Sequence, residues 1–430
     1  MKSKIKILVC PSDRSGVGFW RSIWPTQQMK RNHSDEIDVH LDFSPDVNNI
    51  DYLSTFNIIH FHRMFGPYEG SEKLFKELQR RGVKLVMDID DYWLPPPTHH
   101  LHAIVLAEKM HEKIENNLRL VDWVTTTTDV FADEIRKFNN NVFVIPNAIN
   151  KDEPMWASEG SPDPNGKVRV GWIGGSSHLH DLKKIEDSMA LLSSDQNLEG
   201  KFQIVVSGFD TRGTMTEIRG NERIVRPIQK HETIWLDFER IFTNNYALIK
   251  NEEYKKWLLK VENKEFPSMQ DQNYIRRWTL PLSQYGKHYD HYDICMAPLA
   301  ETYEYRGPVN PKTGKQGPMS YRENMFNKAK SELKIIESGM KRKALIAQDF
   351  GIYHELIEDG VTGILINKED DKKGWYKAIK RLINDHDLRN ELANNLHEFV
   401  KDRYDINTVN KSRLQFYKQL TEHSVPLAEA

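Results

Sequence analysis

Val168-Arg-Val-Gly-Trp-Ile173 runs directly into Gly174-Gly-Ser-Ser-His-Leu-His180. An apolar run of strand length thus ends in glycines just where a helix can begin, the step that opens an α/β unit. A comparable step stands near the start, where Lys4-Ile-Lys-Ile-Leu-Val-Cys10 gives way to Pro11-Ser-Asp-Arg-Ser-Gly-Val-Gly18 and a helical segment follows from Phe19. Two such openings on one chain predict two units of the same kind.

Working outward from each opening, the pattern repeats. Short apolar runs at 38–41, 57–61, 84–88, 123–126 and 142–145 alternate with amphipathic stretches such as 71–81, where Leu74, Phe75 and Leu78 keep helical spacing. After Val168 the runs at 202–207, 294–297, 344–347 and 363–366 continue the series. Strands alternating with helices imply parallel sheets with right-handed crossovers, so the fold class is α/β with two Rossmann-like domains. Residues 1–150 are expected to form the first and 168–405 the second. Between them, 151–167 carries Pro154, Gly160, Pro162, Pro164 and Gly166 and reads as a linker. Two stretches break the alternation and read as insertions in the second domain. Residues 209–281 are charged and aromatic, with Trp235, Phe238, Ile241 and Phe242 as an apolar helical face within 233–259; they could also serve as a partner-docking surface. Residues 302–324 read as a polar loop rich in proline and glycine. A pair of C-terminal helices is expected over 387–399 and 407–420.

The chain has 430 residues, with 60 Lys+Arg against 62 Asp+Glu and a net charge of −2, so nucleic acid is not an expected partner. With 39% hydrophobic and 28% charged residues, it is neither fibrous nor disordered. Only Cys10 and Cys295 are present, too few for a disulfide framework or a thiolate metal site, which fits a reducing cytosol. No run approaches the ~18 apolar residues of a membrane span. The apolar run Ile7–Cys10 stops at Pro11, short of a signal peptide. A cytoplasmic protein is expected.

Five clusters could carry chemistry. Gly16-Val-Gly18 is either a tight turn or a loop that brings backbone amides to a ligand at a helix start. Gly174, Gly175 and Ser176 are small enough for close approach of a charged ligand to the backbone, and His178 with His180 could donate to it; at i, i+2 the histidines share no helical face, which disfavours a metal. His60-Phe-His62-Arg63 and Asp88-Ile-Asp90-Asp91-Tyr-Trp93 fall at strand carboxyl ends, where ligands bind in open parallel sheets. The aspartates could bind sugar hydroxyls, act as a base, or cap a helix. In Lys330-Ser-Glu-Leu-Lys334-Ile-Ile-Glu337, Ser331 reads as a helix cap, while Lys330, Lys334 and Glu337 step along one side, either as a ligand site or as a solvated face.

The order of Val144-Ile-Pro-Asn-Ala-Ile149, Gly171-Trp-Ile-Gly174, Lys330-Ser331–Lys334–Glu337 and Glu358-Asp-Gly-Val-Thr-Gly363 resembles the retaining nucleotide-sugar glycosyltransferases of family four, over nearly the whole chain. The resemblance implies a GT-B fold, in which the two Rossmann-like domains face each other across a cleft. The acceptor would lie mostly on the first domain and the sugar-nucleotide on the second, and the final helix, within 406–430, would cross back to the first. It also implies roles. Glu337 would bind the nucleotide ribose, and Lys330 and Ser331 at the helix start would receive the diphosphate. Gly16 and Gly18 would form the flexible loop near donor and acceptor, and His62 with Asp90 or Asp91 would touch the transferred sugar. Two positions depart from the family pattern: Ala329 stands where a second glutamate is common, and Gly175 and His180 stand where a basic pair is usual. Lys330 and Lys334, with Arg322, are therefore expected to supply the missing positive charge.

In such a transfer the acceptor attacks on the face from which the diphosphate departs, and the diphosphate can take the acceptor proton. No protein nucleophile, metal or cofactor is then expected; the nucleotide-diphosphate sugar is a substrate. The Asp88-Ile-Asp90 pair has a metal-motif spacing but lies in the acceptor half. Expected partners are the donor and a carbohydrate or lipid-linked acceptor, with hexosyl transfer in polysaccharide biosynthesis as the setting. Phe19, Trp20 and Trp24 either touch a membrane surface peripherally or belong to the core. Alternatives are a sugar-nucleotide epimerase, a phosphorylase, or a non-catalytic binder of nucleotide-sugars or polysaccharide.

Overall fold

The computed structural model describes residues 4–14, 16–67, 70–158, 160–220, 222–261, 271–307 and 311–422. The first half supplies β1 (Ile5–Cys10), β2 (Ile37–Leu41), β3 (Ile58–His62), β4 (Lys84–Asp88), β5 (Trp123–Thr126) and β6 (Val142–Val144), all parallel, in the order β2-β1-β3-β4-β5-β6. The second half supplies β7 (Val168–Ile173) and β8 (Phe202–Phe209), then the antiparallel hairpin β9 (Thr214–Arg219) and β10 (Glu222–Pro227). Next come β11 (Tyr274–Trp278), β12 (Ile294–Ala297), the hairpin β13 (Thr302–Arg306) and β14 (Met319–Glu323), β15 (Ala344–Gln348) and β16 (Ile364–Ile366). Its parallel sheet has the order β11-β8-β7-β12-β15-β16. The fold is α/β with two six-stranded parallel sheets, and the central strands are buried on both faces, as the near-continuous apolar runs require.

The two irregular stretches take definite form. Within 209–281, helices Trp235–Phe242 and Glu252–Leu259 pack on the sheet, and β11 forms its edge. The second stretch, read as a polar loop, is instead the β13–β14 hairpin. Its glycines serve the strands: Gly307 and Gly317 pass so closely that a Cβ on Gly317 would lie 2.7 Å from the Gly307 Cα. Within the described part of the 151–167 stretch, Pro154–Ala157 is a short helix whose Met155 and Trp156 are buried.

One apolar cluster continues from half to half, through Ile7, Ile58 and Ile149 on one side and Tyr289, Cys295 and Leu345 on the other. The chain crosses between the halves twice, side by side: the Ile149 amide donates to the Tyr404 carbonyl and the Ile406 amide to the Ile149 carbonyl. Helix Ile406–Glu422 then packs on β1 and on helix Trp24–Asn32 of the first half, burying Leu414, Phe416, Tyr417 and Leu420. Trp20 and Trp24 lie in this same core, at 7% and 5% exposure, and Phe19 packs against it.

Candidate active site

Strand order reverses between β1 and β3 in one sheet and between β7 and β12 in the other. The loops beyond those strands open onto one cleft of about 1160 Å³, lined from both halves. This is where open parallel sheets bind ligands.

On the first-half wall, Gly16–Gly18 forms one helical turn that continues as a π-helix, Phe19–Ile23. Gly16 faces the cleft. Gly18 is glycine by necessity, since a Cβ there would lie 2.0 Å from the Asp13 carbonyl oxygen. The π segment carries Arg21 inward, where it grips Asp88 with both arms, at 2.7 and 3.0 Å, and donates to the Ile145 carbonyl at 2.7 Å. The Thr125 hydroxyl donates to Asp88 at 2.6 Å, and His60 lies between Thr125 (2.9 Å) and the Tyr417 hydroxyl (2.6 Å). Burial lowers the His60 imidazole to about 4, so it bridges as the neutral ring. Burial opposes charge on Asp88, yet Arg21 holds it down at about 2.

The other two aspartates stand at the cleft. Asp90 accepts from His62 Nε2 at 2.9 Å and from Arg63 at 3.0 Å; burial works against its charge, but these partners hold the carboxyl well below the usual range. Asp91 pairs with Lys330 at 2.9 Å, across the cleft from the other half. His62 is only 3% exposed and is not a lining residue: it reaches the cleft through Asp90. With Asp88 on Arg21 and Asp90 on Arg63, both carboxylates of the Asp88-Ile-Asp90 spacing are committed to guanidinium groups.

On the second-half wall, Gly174 sits where a Cβ would lie 2.5 Å from the Trp172 ring, whereas Gly175 has open space. Ser176 starts a short 3-10 turn that ends at His178, whose Nδ1 meets Asp181 at 2.8 Å. His180 lies outside the large cleft, at the Thr302 carbonyl (3.2 Å). The helix beyond Lys330 spans Leu333–Met340, so the residue at its cap position is Glu332 rather than Ser331. Glu332 does not cap it; its carboxylate turns to the Asn147 backbone amide of the first half, at 2.5 Å. The first amides of the helix are thus left without a side-chain acceptor, beside Lys330 and Ser331. One turn on, Lys334 lies 3.4 Å from Glu337 and 3.5 Å from the hydroxyls of Tyr285 and Tyr289. Glu337 is buried and accepts from Tyr289 at 2.5 Å.

The structure therefore brings Gly16, Asp90, Asp91, Gly174, Gly175, Ser176, His178, Lys330, Ser331, Lys334 and Glu337 to one cleft. Gly18 and His62 stand behind it as supports. Arg322 does not line it: its guanidinium stacks 3.3 Å from the Tyr305 ring centroid on the β13–β14 hairpin. Ala329 is 1% exposed and packs into the first-half core, so a glutamate there would be buried among apolar groups. Sequence reasoning missed Arg21, Asn147, Glu332 and the tyrosines at 285 and 289. A signal existed for Arg21, a lone cation within Phe19-Trp20-Arg21-Ser22-Ile23-Trp24; a charge inside an apolar run is buried only when paired.

No family profile matches the sequence, and no curated protein matches it. Many solved structures are similar to the chain, among them three that match over nearly its full length at low identity. A glycosyltransferase from Rickettsia africae shares 14% identity, with 98% of this chain and 100% of that one covered and a TM-score of 0.57. Sucrose-phosphate synthase from Thermosynechococcus elongatus shares 12%, with 98% and 100% covered and a TM-score of 0.58. Anabaena HepE in complex with UDP shares 12%, with 97% and 100% covered and a TM-score of 0.56. At these identities the likeness is one of fold: two Rossmann-like halves facing across a cleft, the GT-B arrangement.

Proposed function

We propose that this chain is a glycosyltransferase that moves a sugar from a nucleotide-diphosphate sugar to a hydroxyl acceptor, a glycan or a lipid-linked one, with retention of configuration. The observation that carries the reading is the start of helix Leu333–Met340: uncapped amides, Lys330 and Lys334 alongside, and a buried carboxylate at Glu337 one turn deeper, all in the interdomain cleft. A leaving diphosphate needs positive charge at the point where its own charge grows. Here the amides and the two lysines supply it, and the Gly174–Ser176 loop opposite leaves room for the phosphates. Glu337, held by Tyr289, accepts hydrogen bonds from the ribose hydroxyls. Binding of the diphosphate exchanges the Lys330–Asp91 pair for a Lys330–phosphate pair, which frees Asp91 to face the transferred sugar beside Asp90. His62 keeps Asp90 oriented. In this reading the transfer of a hexosyl group needs neither a protein nucleophile nor a metal, and the enzyme works in the cytoplasm, where sugar-nucleotides are made.

Complexes of HepE with UDP-glucose, and with UDP and glucose, make uridine donors the first to test. A panel of sugar-nucleotides read by thermal shift is the deciding experiment, since a ligand at a hundred times its Kd stabilises the native state by about 2.7 kcal/mol. One or more donors should raise the melting temperature, and Glu337→Gln should abolish that rise. If none does, or if a donor is epimerised with no acceptor present, the assignment fails.

A further inference from the structure

The β13–β14 hairpin stands out from a chain whose net charge is −2. Between Tyr305 and Arg322 the sequence carries Arg306, Lys312, Lys315 and Arg322 and not one acid. All of β14 is exposed, with Tyr321 at 66% and Met319 at 53%. The hairpin is nevertheless a built element. Its strands pair over five residues, from Thr302↔Glu323 to Arg306↔Met319, and the Gln316 amide donates to the Gly307 carbonyl at 2.6 Å. Its root is anchored through Glu301, which holds Lys184 at 2.5 Å and Gln348 at 2.7 Å. That root adjoins the cleft: Asn324, directly after β14, lines a small pocket together with His178 and Lys330, which also line the cleft.

We propose that this hairpin is the docking arm for an anionic acceptor, a glycan whose chain carries carboxylate or phosphate groups and whose growing end reaches Asp91. The proposal rests on the glycosyltransferase reading and adds the acceptor's chemistry to it. Charge complementarity selects an anion. The Arg322 guanidinium stacked on Tyr305 selects a planar acidic group or a sugar ring over a bare point charge. A lipid surface fits less well, because the large hydrophobics that the described part of the hairpin exposes are two, Met319 and Tyr321, too little apolar surface to insert into a bilayer.

The test uses the full chain and its Arg306→Glu/Lys315→Glu variant, both exposed positions away from the cleft lining. Binding is measured to oligogalacturonate, to neutral dextran and to vesicles containing anionic phospholipid, at low and at raised salt, alongside the donor-induced thermal shift. The wild type should bind oligogalacturonate in preference to dextran, more weakly as salt rises, and the double variant should lose affinity roughly tenfold with its melting temperature unchanged. Tyr321→Ala should weaken oligogalacturonate binding without changing its salt dependence. Equal affinity in wild type and double variant overturns the proposal, as does binding to vesicles alone. If no donor shifts the wild type while the variant still loses oligogalacturonate binding, the arm stands and the enzymatic reading falls.

Discussion

Lys330 has two partners of different kinds, the Asp91 carboxylate at 2.9 Å and the face of Phe326 at 4.1 Å. Lys330→Ala removes a charge needed when the diphosphate leaves, so kcat/KM should fall by roughly 10²–10³, the scale of one lost electrostatic contact in a transition state. Its melting temperature should barely move, because Asp91 is partly exposed and keeps Arg63 as a partner at 3.7 Å; full activity in this variant would refute the assigned role. Glu332 makes a different prediction. Burial pushes its carboxyl up to about 7, so the native state favours the protonated form. Its contribution to stability is then complete below about 4.5 and is lost as pH rises through 7. His60, held neutral down to about 4, slopes the opposite way across much of the same window. The melting temperature of the wild type relative to Glu332→Gln should therefore fall between pH 5 and 8, as followed by calorimetry. Lys334 and Glu337 were legible in the sequence because their spacing marks one side of a helix, whereas Lys330 lies just before that helix begins. Glu332 was not: only the approach of Asn147, 185 residues away, takes it out of water.

At the scale of elements, the openings at Cys10 and Ile173 were legible because hydrophobic period and glycine punctuation agree there. β11 was not, because Tyr274-Ile-Arg-Arg-Trp278 hides a buried cation in a strand. Arg276 is wholly buried; its Nε and Nη2 donate to the two Glu239 oxygens at 2.6 Å, and it stacks over Phe209. That pair joins the sheet edge to helix Trp235–Phe242, and the Tyr274 hydroxyl donates to the same carboxylate at 2.9 Å. Glu239→Ala would strand a guanidinium inside the second-half core, with an expected cost of about 3–5 kcal/mol in urea unfolding. A loss below about 1 kcal/mol would mean that water reaches Arg276. The β13–β14 hairpin was hidden for the opposite reason. Its prolines and glycines look like loop chemistry, and only the Gly307–Gly317 approach shows why a paired structure uses them.

At the scale of the whole molecule, two similar units were evident from the repeated series, and the resemblance implied the return of the final helix; the apolar cluster shared by the two halves was not legible. The shared cluster and the paired crossings at Ile149 and Tyr404 join the halves, which should therefore unfold together. Removing residues 406–422 uncovers β1 and helix Trp24–Asn32, and it deletes the Tyr417 hydroxyl that meets His60. The truncated protein should bind a hydrophobic dye strongly and lose its sharp melting transition; a chain that still melts cooperatively at the wild-type temperature would contradict this. The same helix imposes an order on biosynthesis. The amino-terminal sheet emerges from the ribosome early, but the cover for one of its faces is encoded after the entire second half. Translation at about 5–20 residues per second leaves that face bare for many seconds. A nascent chain stalled before residue 406 should consequently be a chaperone client, however well its first strands are formed.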